Sequence, residues 1–365
     1  MEEIRCIGCG AIIQSEDING SGYVPKEVLT TRPLENLLCR RCHRIKYYNE
    51  YLKNELPKEE YYKIMQEITA RDALFVYVAD IFDFEFSINP TVIKMLKGKD
   101  VLLVGNKIDL LPKSQKLEKL TAVIQKHSQK LGLKYRSLLL LSVKNKQNID
   151  ELISLMEKER RGRNVYFLGN TNVGKSSLIN ALLRSSGMVD MDIITSASIP
   201  GTTLDLIEIP FFEDGFLYDS PGLILDESLL SLIDASDYQK VMPKVEIKPG
   251  VYQLNSQQAL TIGGFASFHY LAGEKNTIIT YFSNQLTIRR NKSAKAIELF
   301  PARNQELYDI KTLVKDLDYY EFELKEKKDL AIAGLGFITI KHAPCKIGIY
   351  LIKGTGVMLR EPIIG

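Results

Sequence analysis

The residues with the clearest chemical use form a glycine-rich loop near the middle of the chain. Gly169 and Gly174 bracket the loop, and Lys175 and Ser176 complete a G-x-x-x-x-G-K-S pattern. In such a loop, backbone N–H groups wrap a β-phosphate, the lysine reaches the β- and γ-phosphates, and the serine hydroxyl holds Mg²⁺. The pattern predicts a nucleotide triphosphatase and leaves ATP and GTP both open. The predicted phosphate-binding residues are Gly169, Asn170, Thr171, Asn172, Val173, Gly174, Lys175, Ser176 and Ser177.

A second segment, earlier in the chain, suits recognition of a guanine base. Asn106, Lys107 and Asp109 form an Asn-Lys-x-Asp sequence directly after the apolar run 101–105. The aspartate can accept from the ring N1–H and the exocyclic amine of guanine, a donor pair that adenine lacks, while the lysine lies along the base plane. Together with the phosphate loop, this segment predicts GTP rather than ATP.

A weaker guanine signal follows the next apolar run, 137–141. Its residues are Ser142, Val143 and Lys144. A backbone N–H of this triplet is placed to donate to guanine O6, although any loop at a strand end has a similar sequence.

Two segments after the phosphate loop are typical of nucleotide-sensing switches. Thr202 and Thr203 end a polar stretch, and Thr203 is our first candidate, with Thr202 second, for the threonine that closes on Mg²⁺. Asp219 and Gly222 belong to an Asp-Ser-Pro-Gly sequence. We expect Asp219 to hold Mg²⁺, through water, and the Gly222 N–H to sense the γ-phosphate.

The elements that must position these residues alternate between strands and helices. The uninterrupted apolar runs 73–79, 101–105, 137–141 and 164–168 predict fully buried strands. Helical apolar stripes include Tyr61, Ile64, Met65 and Ile68, and Ser114 is the predicted cap of a helix that carries Leu120. The pattern predicts an α/β fold.

Four of the five cysteines come as two Cys-x-x-Cys pairs, with the spacing of a tetrahedral zinc site. The predicted ligands are Cys6, Cys9, Cys39 and Cys42. Zinc is favoured over disulfides because a cytosolic chain keeps its thiols reduced. The basic and aromatic residues around the second pair leave two interpretations open, a nucleic-acid contact or a solvated face on a structural zinc module. The fifth cysteine, Cys345, is predicted to be a buried apolar residue.

The composition describes a globular chain of two or three domains. It has 365 residues, 45% hydrophobic and 25% charged, with a formal net charge of +3. This mildly basic balance means that any contact with nucleic acid depends on local clusters. No uncharged apolar run approaches the roughly 18 residues of a membrane span. We therefore expect no membrane segment and a cytoplasmic location.

The C-terminal region is predicted to be rich in β-strands, because short apolar runs alternate there with turn residues. The runs are 276–282, 285–288, 330–340 and 347–352. Arg289, Arg290, Lys292 and Lys295 form a local basic patch. The aromatic residues Phe265, Phe268 and Tyr270 suit either base stacking or a β core, and the core is favoured.

Taken together, the nucleotide segments resemble the five motifs of the translation-factor-like GTPases, but in a rotated order. The guanine segments precede the phosphate loop and the switches, as in the circularly permuted GTPases. With the cysteine pairs in front and a C-terminal extension behind, the chain closely resembles the bacterial YqeH family of ribosome-assembly GTPases. The resemblance implies a zinc module in residues 1–57, a circularly permuted P-loop GTPase domain in 58–227 and a β-rich domain in 228–365.

The resemblance also bears on catalysis. Leu223 stands where a signalling G protein carries a glutamine that orients the attacking water, and an apolar side chain cannot do this, so intrinsic hydrolysis should be slow. In similar GTPases a phosphate-loop asparagine helps to bind K⁺, and Asn172 has the matching position. The expected catalytic residues are Lys175, Asn172, Thr203 and Gly222.

The function implied by the resemblance is a GTP-driven switch in assembly of the small (30S) ribosomal subunit. Such a protein would bind the subunit or its rRNA in the GTP state and leave after hydrolysis. The alternative is a switch that acts on protein partners without contacting RNA. The expected cofactors are GTP or GDP, Mg²⁺, Zn²⁺ and K⁺.

Overall fold

The structure, a computed structural model, describes residues 4, 6, 12–17, 22–31, 37, 39–40, 58–188, 195–198, 205–223, 225–314 and 316–364. The chain divides into two compact units. The first consists of Met1–Val78, Asn89–Asn106 and Gly132–Leu223, and the second of Ala79–Ile88, Lys107–Leu131 and Ile224–Gly365. The units interleave along the chain, and the sequence-based boundaries after residues 57 and 227 stay predictions.

The helices of the described residues are mostly short. In chain order they are α1 (Lys26–Thr31), α2 (Lys58–Ala70), α3 (Phe84–Ser87), α4 (Pro90–Met95), α5 (Leu117–Lys130), α6 (Ile149–Arg160), α7 (Lys175–Ser185), α8 (Leu229–Leu232), α9 (Tyr238–Val241) and α10 (Ser293–Tyr308). Two 3₁₀ turns span Ile108–Leu110 and Ala235–Asp237. Within these ranges, no helix combines the length and apolar character that crossing a membrane requires.

The described strands fall into three sheets. In chain order they are β1 (Leu74–Asp80), β2 (Asp100–Asn106), β3 (Ser137–Leu140), β4 (Val165–Leu168), β5 (Thr195–Ser198), β6 (Asp205–Phe212), β7 (Gly215–Asp219), β8 (Gly250–Leu254), β9 (Gln258–Ile262), β10 (Ala266–Ala272), β11 (Asn276–Phe282), β12 (Ile288–Lys292), β13 (Leu317–Leu324), β14 (Lys328–Ile332), β15 (Gly336–Ile340), β16 (Cys345–Ile352) and β17 (Val357–Arg360).

The sheet that carries the phosphate loop has seven strands in the order β3-β2-β1-β4-β7-β6-β5. The pairs β2–β3, β1–β4 and β4–β7 are parallel, whereas β7–β6 and β6–β5 are antiparallel. Strands of a parallel sheet are covered on both faces, which explains their continuous apolar runs. The predicted α/β class is confirmed, and β1, β2 and β4 are buried as predicted, whereas β3 is buried only at Leu139 and Leu140.

Helices cover this sheet with the apolar stripes that the sequence predicted. Leu178, Ile179 and Leu182 of α7 are buried in one core with Val76 of β1 and Phe167 of β4. Tyr61, Ile64, Met65 and Ile68 of α2 are buried as predicted. The predicted cap at Ser114 is wrong, because α5 begins at Leu117 and its cap position is Lys116, without a side-chain cap bond.

The second unit contains two antiparallel five-stranded sheets, in the orders β12-β9-β10-β16-β13 and β17-β14-β15-β11-β8. The β-rich C-terminal region is thereby confirmed. The run 285–288 was placed too early, because the strand there is β12, Ile288–Lys292. Phe265, Phe268 and Tyr270 are buried in the core of this unit, as is Cys345, so these aromatic rings are core residues and not a stacking surface.

Candidate nucleotide-binding site

The phosphate loop joins β4 to α7, and its backbone has three left-handed residues. Gly169, Asn172 and Gly174 have φ angles of 145°, 66° and 93°. A Cβ on Gly169 would lie 2.4 Å from the backbone carbonyl oxygen of Val78. A Cβ on Gly174 would lie 2.4 Å from the side-chain nitrogen Nδ2 of Asn106. Both glycines are therefore required by close packing as well as by backbone conformation.

Lys175 spans the loop from its last position to its first. Its side chain is buried, and Nζ donates to the carbonyl oxygen of Gly169 over 3.1 Å. Desolvation lowers the pKa of Lys175, and the nearby charge of Asp219 opposes that shift. A buried ammonium group at the start of α7, next to the N–H groups of the first turn, suits anionic phosphate oxygens.

The two predicted magnesium ligands that the structure describes lie next to each other. Ser176 Oγ donates to Asp219 Oδ2 over 2.9 Å, because β4 and β7 are parallel neighbours and end side by side. A hydroxyl and a carboxylate are hard oxygen ligands that fit Mg²⁺ when phosphate and water complete the octahedron. The remaining candidates, Thr202 and Thr203, lie outside the described residues.

Asn106 links the guanine segment to the phosphate loop. Its buried side chain donates from Nδ2 to the carbonyl oxygen of Val173 over 2.9 Å, and its Oδ1 accepts from the Val143 N–H over 3.4 Å. The structure thus brings three of the predicted segments together. Sequence reasoning assigned Asn106 to the nucleotide and missed that its amide also aligns two loops.

The loop that contains Ser142, Val143 and Lys144 is tightly closed. Ser142 and Gln147 exchange backbone hydrogen bonds of 3.3 and 2.9 Å, and Ser142 Oγ accepts from the Asn145 N–H over 3.0 Å. Ser142 is fully buried, whereas Lys144 is exposed. This rigidity suits a backbone donor that must stay in place for a base carbonyl.

The second switch segment lies against the phosphate loop. The Thr171 N–H donates to the carbonyl oxygen of Leu223 over 3.0 Å, and a Cβ on Gly222 would lie 2.9 Å from Thr171 N. The Leu223 side chain is buried and, as a hydrocarbon, offers no polar group to a water molecule. Gly222 therefore stands beside the loop that would hold the phosphates, as expected of a γ-phosphate sensor.

The other two guanine residues belong to the second unit. Asp109 is half-buried in the 3₁₀ turn Ile108–Leu110 that follows Lys107. The Lys107 ammonium lies 2.6 Å from Asp80 Oδ2, at the carboxyl end of β1. Sequence reasoning did not assign Asp80 to the site; the available signal was its position as a carboxylate that ends a buried strand.

Half of the predicted zinc ligands can be placed. Cys6 and Cys39 are both buried, and the Cys39 N–H donates to Cys6 Sγ over 3.2 Å. One cysteine of each Cys-x-x-Cys pair therefore contacts one of the other, and Cys9 and Cys42 lie outside the described residues. Among the residues that the structure does describe, no three His, Cys, Asp or Glu side chains form a metal-binding group.

Comparison with known proteins agrees with this geometry. Residues 56–225 match the RsgA GTPase family model, and residues 275–363 match the model of the YqeH-like C-terminal region. The chain is 40% identical to YqeH of Bacillus subtilis (strain 168), over 100% of both proteins. It is 27% identical to a putative nitric oxide synthase of Oryza sativa subsp. japonica, over 92% of this chain and 69% of that protein.

The RsgA GTPase match covers every nucleotide segment described above, and this GTPase family implies GTP hydrolysis with GTP or GDP and Mg²⁺ as ligands. The rotated order of those segments in an α/β sheet is that of a circularly permuted P-loop GTPase. Given this match and the similarity over the full length of a relative, the chain belongs to the YqeH family of circularly permuted GTPases.

Proposed function

We propose that this protein is a GTP-driven switch that binds the small ribosomal subunit, or its rRNA, in the GTP state and releases it after hydrolysis. The observation that carries the proposal is the contact between the switch and the phosphate loop. The carbonyl oxygen of Leu223 accepts from the Thr171 N–H, and the third and longest segment of the second compact unit begins at the next residue, Ile224. A γ-phosphate that moves Gly222 would therefore pull on the start of that segment.

The second unit offers a surface that suits RNA phosphates. Arg289, Arg290 and Lys292 are exposed on β12, which is an edge strand of its sheet, and Lys295 is exposed nearby. Clustered basic side chains supply the electrostatic part of nucleic-acid binding. Ribosomal assembly itself rests on the family resemblance, and the exposed basic strand is what supports it in this chain.

The decisive experiment is sedimentation of the full chain with small-subunit particles, with a non-hydrolysable GTP analogue or with GDP. We expect co-sedimentation with the analogue and its loss with GDP. The same assay compares the wild-type protein with a Gly222→Ala variant. The new Cβ would lie 2.9 Å from Thr171 N, too close for an unshifted loop, and would disturb the switch. Binding that is equal in both nucleotides would contradict the switch, and rRNA binding that is absent even at low salt would favour a partner made of protein.

Potassium is the proposed substitute for the missing glutamine. Asn172 is exposed in the phosphate loop and has a left-handed backbone, while Leu223 is apolar and buried. We expect GTP hydrolysis to be about tenfold faster in K⁺ than in Na⁺, which corresponds to about 1.4 kcal/mol of transition-state stabilisation. Asn172→Ala should remove this difference and Asn180→Ala, on α7, should keep it. Equal rates of the wild-type protein in both salts would refute the proposal.

Zinc is the proposed ligand of the four N-terminal cysteines. The bond from the Cys39 N–H to Cys6 Sγ supports it, because backbone donors stabilise the thiolate form that zinc requires. We expect about one zinc per chain by elemental analysis. Cys39→Ser should lose the metal and lower the unfolding temperature, while Cys345→Ser, at a buried thiol in the other unit, should keep the zinc. Protein purified without chelators and found free of zinc would contradict this proposal.

A further inference from the structure

Lys107 has a backbone conformation that lysine rarely adopts. Its φ and ψ angles of 69° and 32° place it in the left-handed region, directly before the 3₁₀ turn that contains Asp109. Residues held in this region cluster at functional sites, where the surrounding structure fixes them. The backbone at Lys107 thus directs its side chain, but four rotatable bonds still separate Cα from the ammonium group.

Asp80 fixes the far end of that side chain. Its Oδ2 lies 2.6 Å from Lys107 Nζ, and 14% of the Asp80 side chain and 28% of the Lys107 side chain are exposed. An ion pair that is largely withdrawn from solvent is less screened than one on an open surface. The contact therefore restrains the lysine more than a surface pair would.

Asp80 is itself held by local bonds that leave Oδ2 for the lysine. Its Oδ1 accepts from the Phe82 N–H over 2.9 Å, and its own N–H donates to Ser87 Oγ over 3.1 Å. Ser87 Oγ in turn donates to the carbonyl oxygen of Asp83 over 2.9 Å. The carboxylate is thus oriented before any nucleotide binds.

A second carboxyl group, that of Asp83, lies near Asp80. Asp83 accepts from the Gly334 N–H over 3.0 Å, and desolvation raises its pKa to about 7, with the charge of Asp80 as the next cause. Two close carboxylates avoid sharing full ionisation. Of the two carboxyl groups, Asp80 is the one whose Oδ2 lies 2.6 Å from the Lys107 ammonium.

We propose that Asp80 is a positioning residue for guanine binding, whose carboxylate anchors the Lys107 ammonium so that the lysine stem lies along the base. The inference rests on the proposed placement of guanine against Lys107. It adds a residue that lies outside the Asn-Lys-x-Asp segment and acts only through Lys107. Because the base does not react, the effect falls equally on ground state and transition state, so KM for GTP rises while kcat stays unchanged.

The test is a double-mutant cycle on the affinity of the full chain for a fluorescent GDP analogue. Asp80→Asn is expected to weaken binding about tenfold, because the amide can still accept from Phe82 but no longer pairs with the ammonium. Lys107→Met keeps the apolar stem and should weaken binding by a similar factor. The double variant should bind no more weakly than Lys107→Met alone, since each change removes the same contact.

A matched ion pair elsewhere provides the control. Lys346 Nζ lies 2.6 Å from Glu321 Oε1 in the same unit, between β16 and β13, so Glu321→Gln removes a pair of equal length. We expect this variant to bind the analogue as the wild-type protein does, with unchanged kcat and KM. Asp80→Glu controls for a general loss of structure at this position. It keeps the carboxylate, so its affinity for the analogue should stay within about threefold of that of the wild-type protein.

Three results would overturn the inference. They are fully additive effects in the cycle, wild-type affinity in Asp80→Asn, or an Asp80→Glu variant as weak as Asp80→Asn. A wild-type chain that binds ADP as tightly as GDP would instead refute the guanine site itself. Failure of the inference and failure of the proposed function are thus told apart by separate measurements.

Discussion

Replacement of Lys175 by methionine is expected to lower kcat/KM for GTP by about 10³-fold. The lysine is buried, bridges the two ends of the phosphate loop and stands at the start of α7. An ammonium group about 4 Å from a phosphate oxygen contributes about 4 kcal/mol at an effective dielectric constant of about 20, and in the loose transition state of hydrolysis negative charge accumulates on the leaving oxygen. Methionine fills the same volume but carries no charge.

The measurement is single-turnover GTP hydrolysis with the full chain at saturating Mg²⁺, which separates chemistry from product release. Lys158→Met is the matched control, since Lys158 is an exposed lysine on α6 outside the nucleotide segments. Its rate should equal that of the wild-type protein. A Lys175→Met protein that still hydrolyses GTP within about threefold of wild type would show that this loop is not the phosphate site.

The phosphate loop was predictable because its chemistry is local. Two glycines, a lysine and a serine at fixed spacing between an apolar strand and an amphipathic helix specify both the conformation and the ligand. The structure adds the reason for each glycine. Val78 leaves no room for a Cβ at Gly169, and Asn106 leaves none at Gly174. These neighbours are distant in the chain, so no reading of the loop alone reveals them.

The long-range contacts were not predictable, because strand order and register depend on packing of the whole sheet. The bond between Asn106 and Val173 joins the end of β2 to the loop after β4, although β1 lies between these two strands in the sheet. The pair of Asp80 and Lys107 joins the end of β1 to the residue that follows β2. Sequence patterns identify the strands but not which of them lie side by side. Both contacts therefore emerged only from the fold.

The C-terminal region shows the same limit for a β fold. Its strand content followed from alternating and apolar runs, and the buried aromatic residues were correctly favoured as core. The bounds of β12 were missed because Arg289, Arg290 and Lys292 make the strand polar. A solvent-facing edge strand needs no apolar face, so its hydrophobic pattern is weak.

The order of the nucleotide segments gives the permuted domain a mechanical property. A sheet depends on which strands are neighbours in space, so the same nucleotide site forms whether the guanine segments come first or last in the chain. What changes is the segment that follows the second switch. Here Leu223 is the last residue of the first compact unit and Ile224 opens the third segment of the second, so the switch lies at the last of the five points where the chain passes from one unit to the other.

Replacement of one carboxylate oxygen of Asp109 by a nitrogen should change the base specificity of this site. Asp109→Asn is expected to weaken GTP binding by about 10²- to 10³-fold, because the carboxylate that accepts from the guanine N1–H and amine is replaced by a side chain with one acceptor and one donor group. Xanthine carries an oxygen in place of that amine, so the asparagine can accept from N1–H and donate to the oxygen. Affinity for xanthosine triphosphate should rise by a similar factor.

A competition assay measures this change of base specificity. GTP, xanthosine triphosphate and ATP each compete with a fluorescent guanine nucleotide for the wild-type protein, and with its xanthine counterpart for the variant. The side chains are isosteric and Asp109 is half-buried in a short 3₁₀ turn, so the fold should be retained. Asp72→Asn is the control, because it makes the same change at an exposed carboxylate that lies 3.0 Å from Arg163. Weak GTP binding without any gain for xanthosine triphosphate would mean that Asp109 supports the turn and does not read the base.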